Sequence, residues 1–301
     1  MKLRLPKVTI GIAAFNEEKN IHKILTDLSN QIEKGFIIVD ILVALDGCTD
    51  RTKDEIKKCK DKRVKILEYK TNLGKITRAN NILRSAKTEY LVLFDADVKI
   101  HDDLACSKLL SPMLKNGSNI TLTSGVQLPI VGNTITEKIA YAGALVWEKA
   151  KSMSGENSVY HCSGGNRAFA RNFYKNLKFP KVMAEDIYPY LYAKQNGFIF
   201  EYVPLPIVMY SLPRNIKDYL YRDKRYTLSP LQHKQIFNNA FIDNEFTINN
   251  KIRLIALIKA LLVNPIYTVL YLALAPAPKI MAYFDKNKFQ STWKVLASTR
   301  G

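Results

Sequence analysis

Four short apolar runs divide the first 130 residues: "VTIGIAA" (8–14), "IVDILVALD" (38–46), "VKILEY" (64–69) and "YLVLFDAD" (90–97). Helical patterns separate them, at about 17–30, 50–60, 75–87 and 102–115. Runs rich in Val, Ile and Leu that are apolar on both faces belong inside a parallel sheet covered by helices. Strict alternation of strand and helix therefore predicts an α/β fold, a doubly wound, mostly parallel, Rossmann-like sheet with helices on both faces. At 301 residues and 47% apolar content the chain can bury the core such a sheet needs. Ligands of these sheets collect at the carboxyl ends of the strands, so the residues that end each run carry the functional question.

Those ends are polar beyond what packing requires. The first run leads into "AAFNEE", the second into "LDGCTD", and the fourth closes on Asp95 and Asp97. Asn16, Thr49 or Asp50 taken singly read as helix caps or turn formers. Three carboxylate-bearing loops on one rim point instead to a ligand. Asp46 can accept a hydrogen bond from a base, and Asp95 and Asp97 offer hard oxygens suited to Mg²⁺ or Mn²⁺, which completes its shell with phosphate oxygens. Two positions apart on one strand, both aspartates point the same way and Ala96 points the other. The loop "TNLGKITRANN" adds Gly74, where backbone can approach a phosphate, and the cations Lys75 and Arg78 at a helix start that favours anions. A nucleoside diphosphate fits this set.

The ordered series "IAAFNEE", "ALDGCTD", "NLGK", "FDAD", "GGNRAFAR", "AED" and "RDKRY" resembles the family 2 glycosyltransferases, inverting GT-A enzymes that use nucleotide-diphospho-sugars. The resemblance covers about residues 7–230. It implies that Ala14, Phe15 and Glu17 line the nucleotide pocket and that Asp46 meets the base. It also implies that Lys75 lies near the phosphates, Asp95 and Ala96 near the nucleotide-sugar, and Asp97 with Asp95 on the metal. Ala13 and Leu45 stand where the family usually has Pro and a first Asp, which leaves the choice between UDP- and GDP-sugar open. Glu185 and Asp186 could simply be acids in a helix's first turn. Inverting transfer requires a carboxylate to deprotonate the acceptor hydroxyl, and the resemblance assigns that role to Asp186, with Glu185 as its support. Gly164 and Gly165 fall in the acceptor-side segment. Arg222 and Arg225, with Tyr226 for Trp, resemble the Q/R-x-x-R-W segment of membrane-associated members, where arginines could clamp diphosphate.

Three segments follow: a nucleotide-sugar half (1–130), an acceptor half with the catalytic base (131–235) and a basic, apolar C-terminal helical region (236–301). In the second, Thr134 and Glu137 stand in capping-box spacing ahead of an amphipathic pattern. In the third, "ALLVNPIYTVLYLALAPAP" (260–278) is uncharged and flanked by Lys251, Arg253, Lys279, Lys286 and Lys288. A buried helical hairpin, an interfacial helix and a membrane span are all open to it. The excess of 45 Lys and Arg over 27 Asp and Glu favours anionic partners. No nucleic-acid-binding signature accompanies the charge, so the expected partners are a nucleotide-sugar, a glycan or lipid-linked acceptor and an anionic membrane surface, with no nucleic acid. Cys48, Cys59, Cys106 and Cys162 form no C-x-x-C pair and read as reduced thiols, and His22, His101, His161 and His233 lack metal-ligand spacing. "MKLRLPKVTI" enters a strand too early for a signal peptide, which places the expected site in the cytoplasm, at the cytoplasmic face of a membrane. The alternatives are a sugar-nucleotidyltransferase, whose Gly-rich loop is missing after the first run, and a non-catalytic basic module for membrane or nucleic acid.

Overall fold

The structure, a computed structural model, describes residues 4–155, 157–182 and 184–285. Its first half follows the alternation: β1 (Lys7–Ala14), α1 (Ile21–Ser29), β2 (Ile37–Asp46), α2 (Thr52–Lys57), β3 (Val64–Tyr69), α3 (Lys75–Ser85) and β4 (Tyr90–Asp95). Then come β5 (Val98–Ile100), α4 (Ala105–Leu114), β6 (Ile120–Ile130), α5 (Ile135–Met153), β7 (Asn166–Ala170), α6 (Arg171–Tyr174), α7 (Tyr188–Gln195) and β8 (Ile199–Ser211). Helices α8 (Ile216–His233), α9 (Asn239–Glu245), α10 (Asn250–Val263), α11 (Pro265–Leu274) and α12 (Pro276–Asp285) close the described chain.

The strands form one eight-stranded sheet in the order β3-β2-β1-β4-β7-β6-β8-β5. The first four pair in parallel, as the sequence pattern predicts. Beyond them the sheet is mixed: β7 runs antiparallel between β4 and β6, β8 is parallel to β6, and β5 returns antiparallel on the far edge. Side chains of alternate parity explain the two covered faces. Val8, Ile10 and Ile12 of β1 meet Ile21, Ile24, Leu25 and Leu28 of α1 and Leu109 and Leu110 of α4. On the opposite face Leu91 and Leu93 meet Ala79, Ile82 and Leu83 of α3 and the aromatic residues of α6 and α7. Gly11 lets α3 come close, since a Cβ there would lie 2.4 Å from Ile82 Cγ2.

Parallel register aligns the strand ends: Ala13 pairs with Asp95 and with Ala44, and Ala14 with Leu45. Ala14, Asp46 and Asp95 therefore share one rim. The α5 capping box forms, with Glu137 N–H donating to Thr134 Oγ1 and Thr134 N–H donating to Glu137. A third apolar cluster joins α5 (Ile139, Ala140) to Tyr219 of α8, with Tyr267 and Tyr271 of α11 against it. The apolar window is thus not a buried hairpin: α10 to α12 lie along α5 and α8, with large apolar side chains exposed. Lys286 and Lys288 lie outside the described residues.

Candidate active site

Lys75 opens α3 behind Gly74, whose φ of 89° suits glycine at a helix start. Its ammonium is the hub of the site, 2.6 Å from Asp95 Oδ1, 2.9 Å from Glu185 Oε1 and 3.8 Å from Asp186 Oδ1. Two elements deliver those acids, the end of β4 and a single 3₁₀ turn (Glu185–Ile187) ahead of α7, while α3 supplies the lysine. Burial is the strongest influence on Lys75 and opposes its charge, but the three carboxylates overcome it and hold the ammonium above its ordinary pKa.

The acids are unlike one another. Burial pushes Asp186 up, the neighbouring Glu185 charge adds to it, and its carboxyl is raised to about 6 although Lys75 and Arg167 pull it down. Burial would raise Glu185 as well, but Lys75, Arg225 and Arg167 together lower it to about 2. Asp95 is raised by burial and by Asp97, against the pull of Lys75. One acid fixed as an anion beside another held near neutrality is a pairing suited to proton transfer. Asp186 Oδ1 is buried and has no hydrogen-bond partner among the described residues.

The glycine pair explains how Asp186 fits. A Cβ on Gly164 would stand 2.2 Å from Asp186 Oδ1, and one on Gly165 would stand 2.4 Å from Gln127 Nε2. These glycines make room for the protein's own side chains. Asn166 locks the turn to β6, accepting from Gly125 N–H at 2.7 Å, while Ser124 Oγ donates to the Asn166 carbonyl at 2.9 Å.

Strand β4 ends at Asp95, so Ala96 and Asp97 form a turn before β5 and the expectation of strand alternation across this triplet does not hold. Ala96 is 3% exposed and packs into the α1 and α4 side of the core. Asp97 is half-buried and its carboxylate has no ion-pair partner among the described residues, whereas Asp95 already faces Lys75. A divalent cation fits here, because two carboxylates suffice when phosphate oxygens and water complete the shell.

Asp46 and Arg78 turn to each other. Asp46, 3% exposed, accepts from Leu73 N–H at 2.9 Å, Gly74 N–H at 2.8 Å and Arg78 Nε at 2.6 Å. Arg78 also donates to the Thr71 carbonyl and lies over the Tyr69 ring, so it braces the loop before Lys75 and leaves the cationic role to that lysine. In the first loop Ala14 and Glu17 are buried and Phe15 is half-buried, while Asn16, at φ 54°, ties the loop to Thr49 through Thr49 N–H at 2.8 Å. Thr49 and Asp50 act as the turn formers their residue types suggest, Asp50 accepting from Glu18 N–H at 3.1 Å.

On the acceptor side the two arginines separate. Arg222 pairs with its neighbour Asp223 at 2.9 Å, whereas Arg225 is charge-coupled to Glu185 and Asp186 and its buried Nε has no partner among the described residues. His161 and His233 are buried and their pKa values are lowered chiefly by that burial, His161 to about 4, which fits neutral packing rings.

The Glycosyl transferase family 2 model matches residues 9–178, more than half of the chain. The chain belongs to this family. It is a nucleotide-sugar-dependent glycosyltransferase of GT-A fold, and the nucleotidyltransferase and non-catalytic readings fall away. An uncharacterized glycosyltransferase of Methanocaldococcus jannaschii is 25% identical over 74% of this chain and 76% of its own length. The Escherichia coli UDP-Glc:alpha-D-GlcNAc-diphosphoundecaprenol beta-1,3-glucosyltransferase WfgD is 25% identical over 61% of this chain and 68% of its own. Among solved structures, the mannosyltransferase PcManGT from Pyrobaculum calidifontis, in complex with GDP-Man and Mn²⁺, superposes with a TM-score of 0.59 at 18% identity, covering 96% of this chain and 77% of that one. Glucosyl-3-phosphoglycerate synthase from Mycobacterium tuberculosis, in complex with Mn²⁺, UDP and phosphoglyceric acid, gives 0.50 at 16% identity over 74% of this chain and 76% of that one.

In this glycosyltransferase one residue of the site escapes sequence reasoning. Arg167, 2% exposed, donates from Nη1 to the Asp186 carbonyl at 3.2 Å and acts electrostatically on Asp95, Glu185 and Asp186. Its signal was present in "NRAFA", a lone cation in an otherwise apolar strand. A buried arginine on a strand needs an anion nearby, and only the fold shows which one.

Proposed function

We propose that this glycosyltransferase moves a sugar from UDP- or GDP-sugar to a hydroxyl of a lipid-linked or glycan acceptor, by a single displacement that inverts the anomeric carbon. Asp186 takes the acceptor's proton as the hydroxyl attacks. Glu185 stays ionised and fixes Lys75, whose ammonium faces the departing diphosphate and stabilises its charge. Asp95 and Asp97 would hold Mg²⁺ or Mn²⁺, which would supply further charge neutralisation for the diphosphate. Ala14, Phe15 and Glu17 form the nucleotide side of the rim, Asp46 shapes the loop beside it, and Arg225 lies toward the acceptor.

The observation that carries this reading is the Asp186 carboxylate: half-buried, raised to about 6, with its buried Oδ1 lacking a hydrogen-bond donor among the described residues and 3.8 Å from Lys75 Nζ. A base must accept a proton in the reaction and so cannot already be saturated with donors. The names of the relatives support the substrate classes, since the E. coli enzyme uses UDP-Glc on a diphosphoundecaprenol-linked sugar and the Pyrobaculum enzyme binds GDP-Man with Mn²⁺. The test is turnover of a panel of UDP- and GDP-sugars with Mg²⁺ or Mn²⁺, against Asp186→Asn. We expect one donor class to be consumed and the variant to bind that donor normally with kcat reduced at least about a hundredfold. Consumption of no donor, or an Asp186→Asn enzyme with unchanged kcat, would refute the proposal.

A further inference from the structure

Helices α10 to α12 are packed inside out. The residues they bury are small, Ala256 and Ala260 in α10, Thr268 in α11, and Pro278 and Ala282 in α12. Their large apolar side chains face outward: Leu254 is 58% exposed, Leu262 80%, Ile266 70%, Ile280 58% and Phe284 73%. A helix on a water-soluble domain has the reverse pattern, and an apolar face running across three successive helices far exceeds the scattered exposed leucines of an ordinary surface. Charge completes the picture. Residues 246–284 contain Lys251, Arg253, Lys259 and Lys279 and no Asp or Glu. All four cations are exposed.

We infer that α10 to α12 form a platform that lies in the plane of an anionic lipid surface, seating the active site against it. A second copy of the chain is a poorer occupant, because a self-complementary contact would set this acid-free basic face against itself. A transmembrane course is also disfavoured by the packing. Pro265–Asp285 has 21 residues and enough apolar character to cross a membrane by length. Its interior and its far end are nevertheless tied to the catalytic domain. Tyr271 fills the space beside Gly143 of α5, where a Cβ would lie 2.7 Å from the ring, and Asp285 pairs with Lys224 of α8 at 2.8 Å. Helices held lengthwise on a polar domain can enter the headgroup and acyl boundary only sideways.

The inference deepens the proposed function and rests on it in one respect, the lipid-linked acceptor. Helix α8 packs on α12 and carries Arg225, which acts on Glu185 and Asp186, so the platform and the acceptor side of the site share one element. A sugar acceptor anchored in the same bilayer would reach Asp186 without leaving the membrane.

The experiment is flotation of the full chain with phosphatidylcholine vesicles, with and without phosphatidylglycerol. We expect flotation with the anionic vesicles, weakening in high salt, and release from them by alkaline carbonate. Leu262→Glu with Ile266→Glu should lower partition at least about tenfold while leaving the thermal melt and donor turnover unchanged. Lys251→Glu with Lys279→Glu, at exposed positions that folding does not depend on, should abolish the preference for anionic vesicles. Absence of flotation, equal flotation of wild type and both variants, retention after carbonate, or a wild-type dimer that the Leu262 and Ile266 variant makes monomeric would each overturn the inference. Flotation needs no sugar transfer, so its failure is distinct from a failure to consume any nucleotide-sugar.

Discussion

Gly164→Ala isolates the position of Asp186 from its chemistry. The added methyl would fall 2.2 Å from Oδ1, 2.5 Å from Cγ and 2.8 Å from Oδ2 of Asp186. Ordinary carbon to oxygen contacts begin above 3 Å, so the carboxylate must move by about 1 Å. The main chain beneath it is pinned, because Arg167 Nη1 and Cys162 Sγ both donate to the Asp186 carbonyl. Only the side chain can give way, by rotation about χ1 and away from its present place beside Lys75. Its cost in stability should be small, about 1 kcal/mol, the scale of an off-rotamer side chain, since the φ of Gly164 is not one that excludes alanine. The cost in rate should be much larger. A displacement of about 1 Å in a reacting group can lose about a hundredfold. Steady-state kinetics on the identified donor, with a thermal melt of the same preparation, separate the two. The expected result is a kcat down about a hundredfold, a nearly unchanged KM for donor and a nearly unchanged melt. Wild-type kcat in a folded Gly164→Ala enzyme would show that the Asp186 carboxylate is not the positioned base, and the geometric reasoning would fall with it.

Asp97→Ala should leave the melt unchanged, because this carboxylate has no ion-pair partner among the described residues to lose, while abolishing metal-dependent transfer; calorimetric titration of Mn²⁺ with nucleoside diphosphate checks the loss directly. The base must be ionised to act, so with Asp186 raised to about 6 the rate should fall about tenfold per pH unit below that value and level off above it. A flat profile between pH values of about 5 and 7 would remove Asp186 from the rate equation. Lys75→Met should destabilise the fold by about 3 kcal/mol at neutral pH, since it strands buried Glu185 and half-buried Asp95 without their cation. Glu185 is lowered in the folded state, so its favourable pairing is present above the ordinary glutamate range and is lost as pH falls toward about 2. The deficit of Lys75→Met in urea unfolding should therefore shrink as pH drops and the stranded acids protonate, and a pH-independent deficit would contradict the pairing.

Much of this site was legible in the chain because its signals are local. Apolar runs ending in Asp46 and Asp95 are enough to line up a rim, since parallel register leaves little choice once four buried strands alternate with helices. The Thr134 and Glu137 capping box could be read for the same reason, as both partners lie within one turn. The roles that sequence could not assign depend on distant pairs. Asp46 looked free for a base, but Arg78 and the amides of Leu73 and Gly74 occupy its oxygens. Nothing along the chain shows that the glycine pair leaves room for the side chains of Asp186 and Gln127. Arg167 and Arg225, more than fifty positions apart, reach the same two acids from β7 and α8.

The sequence by itself determined the element types, the parallel core of the sheet and the identity of the acids, because hydrophobic period and strand-end chemistry depend on neighbours along the chain. Tertiary structure decided what each polar group meets. It decided that Lys75 bridges Asp95 and Glu185, that the buried Oδ1 of Asp186 has no hydrogen-bond donor among the described residues, and which side of α10 to α12 faces outward. The physical reason is range: charge and burial act through space over a few ångströms, and in this fold the residues brought that close come from α3, β4 and the turn before α7, spread along the chain from Lys75 to Asp186.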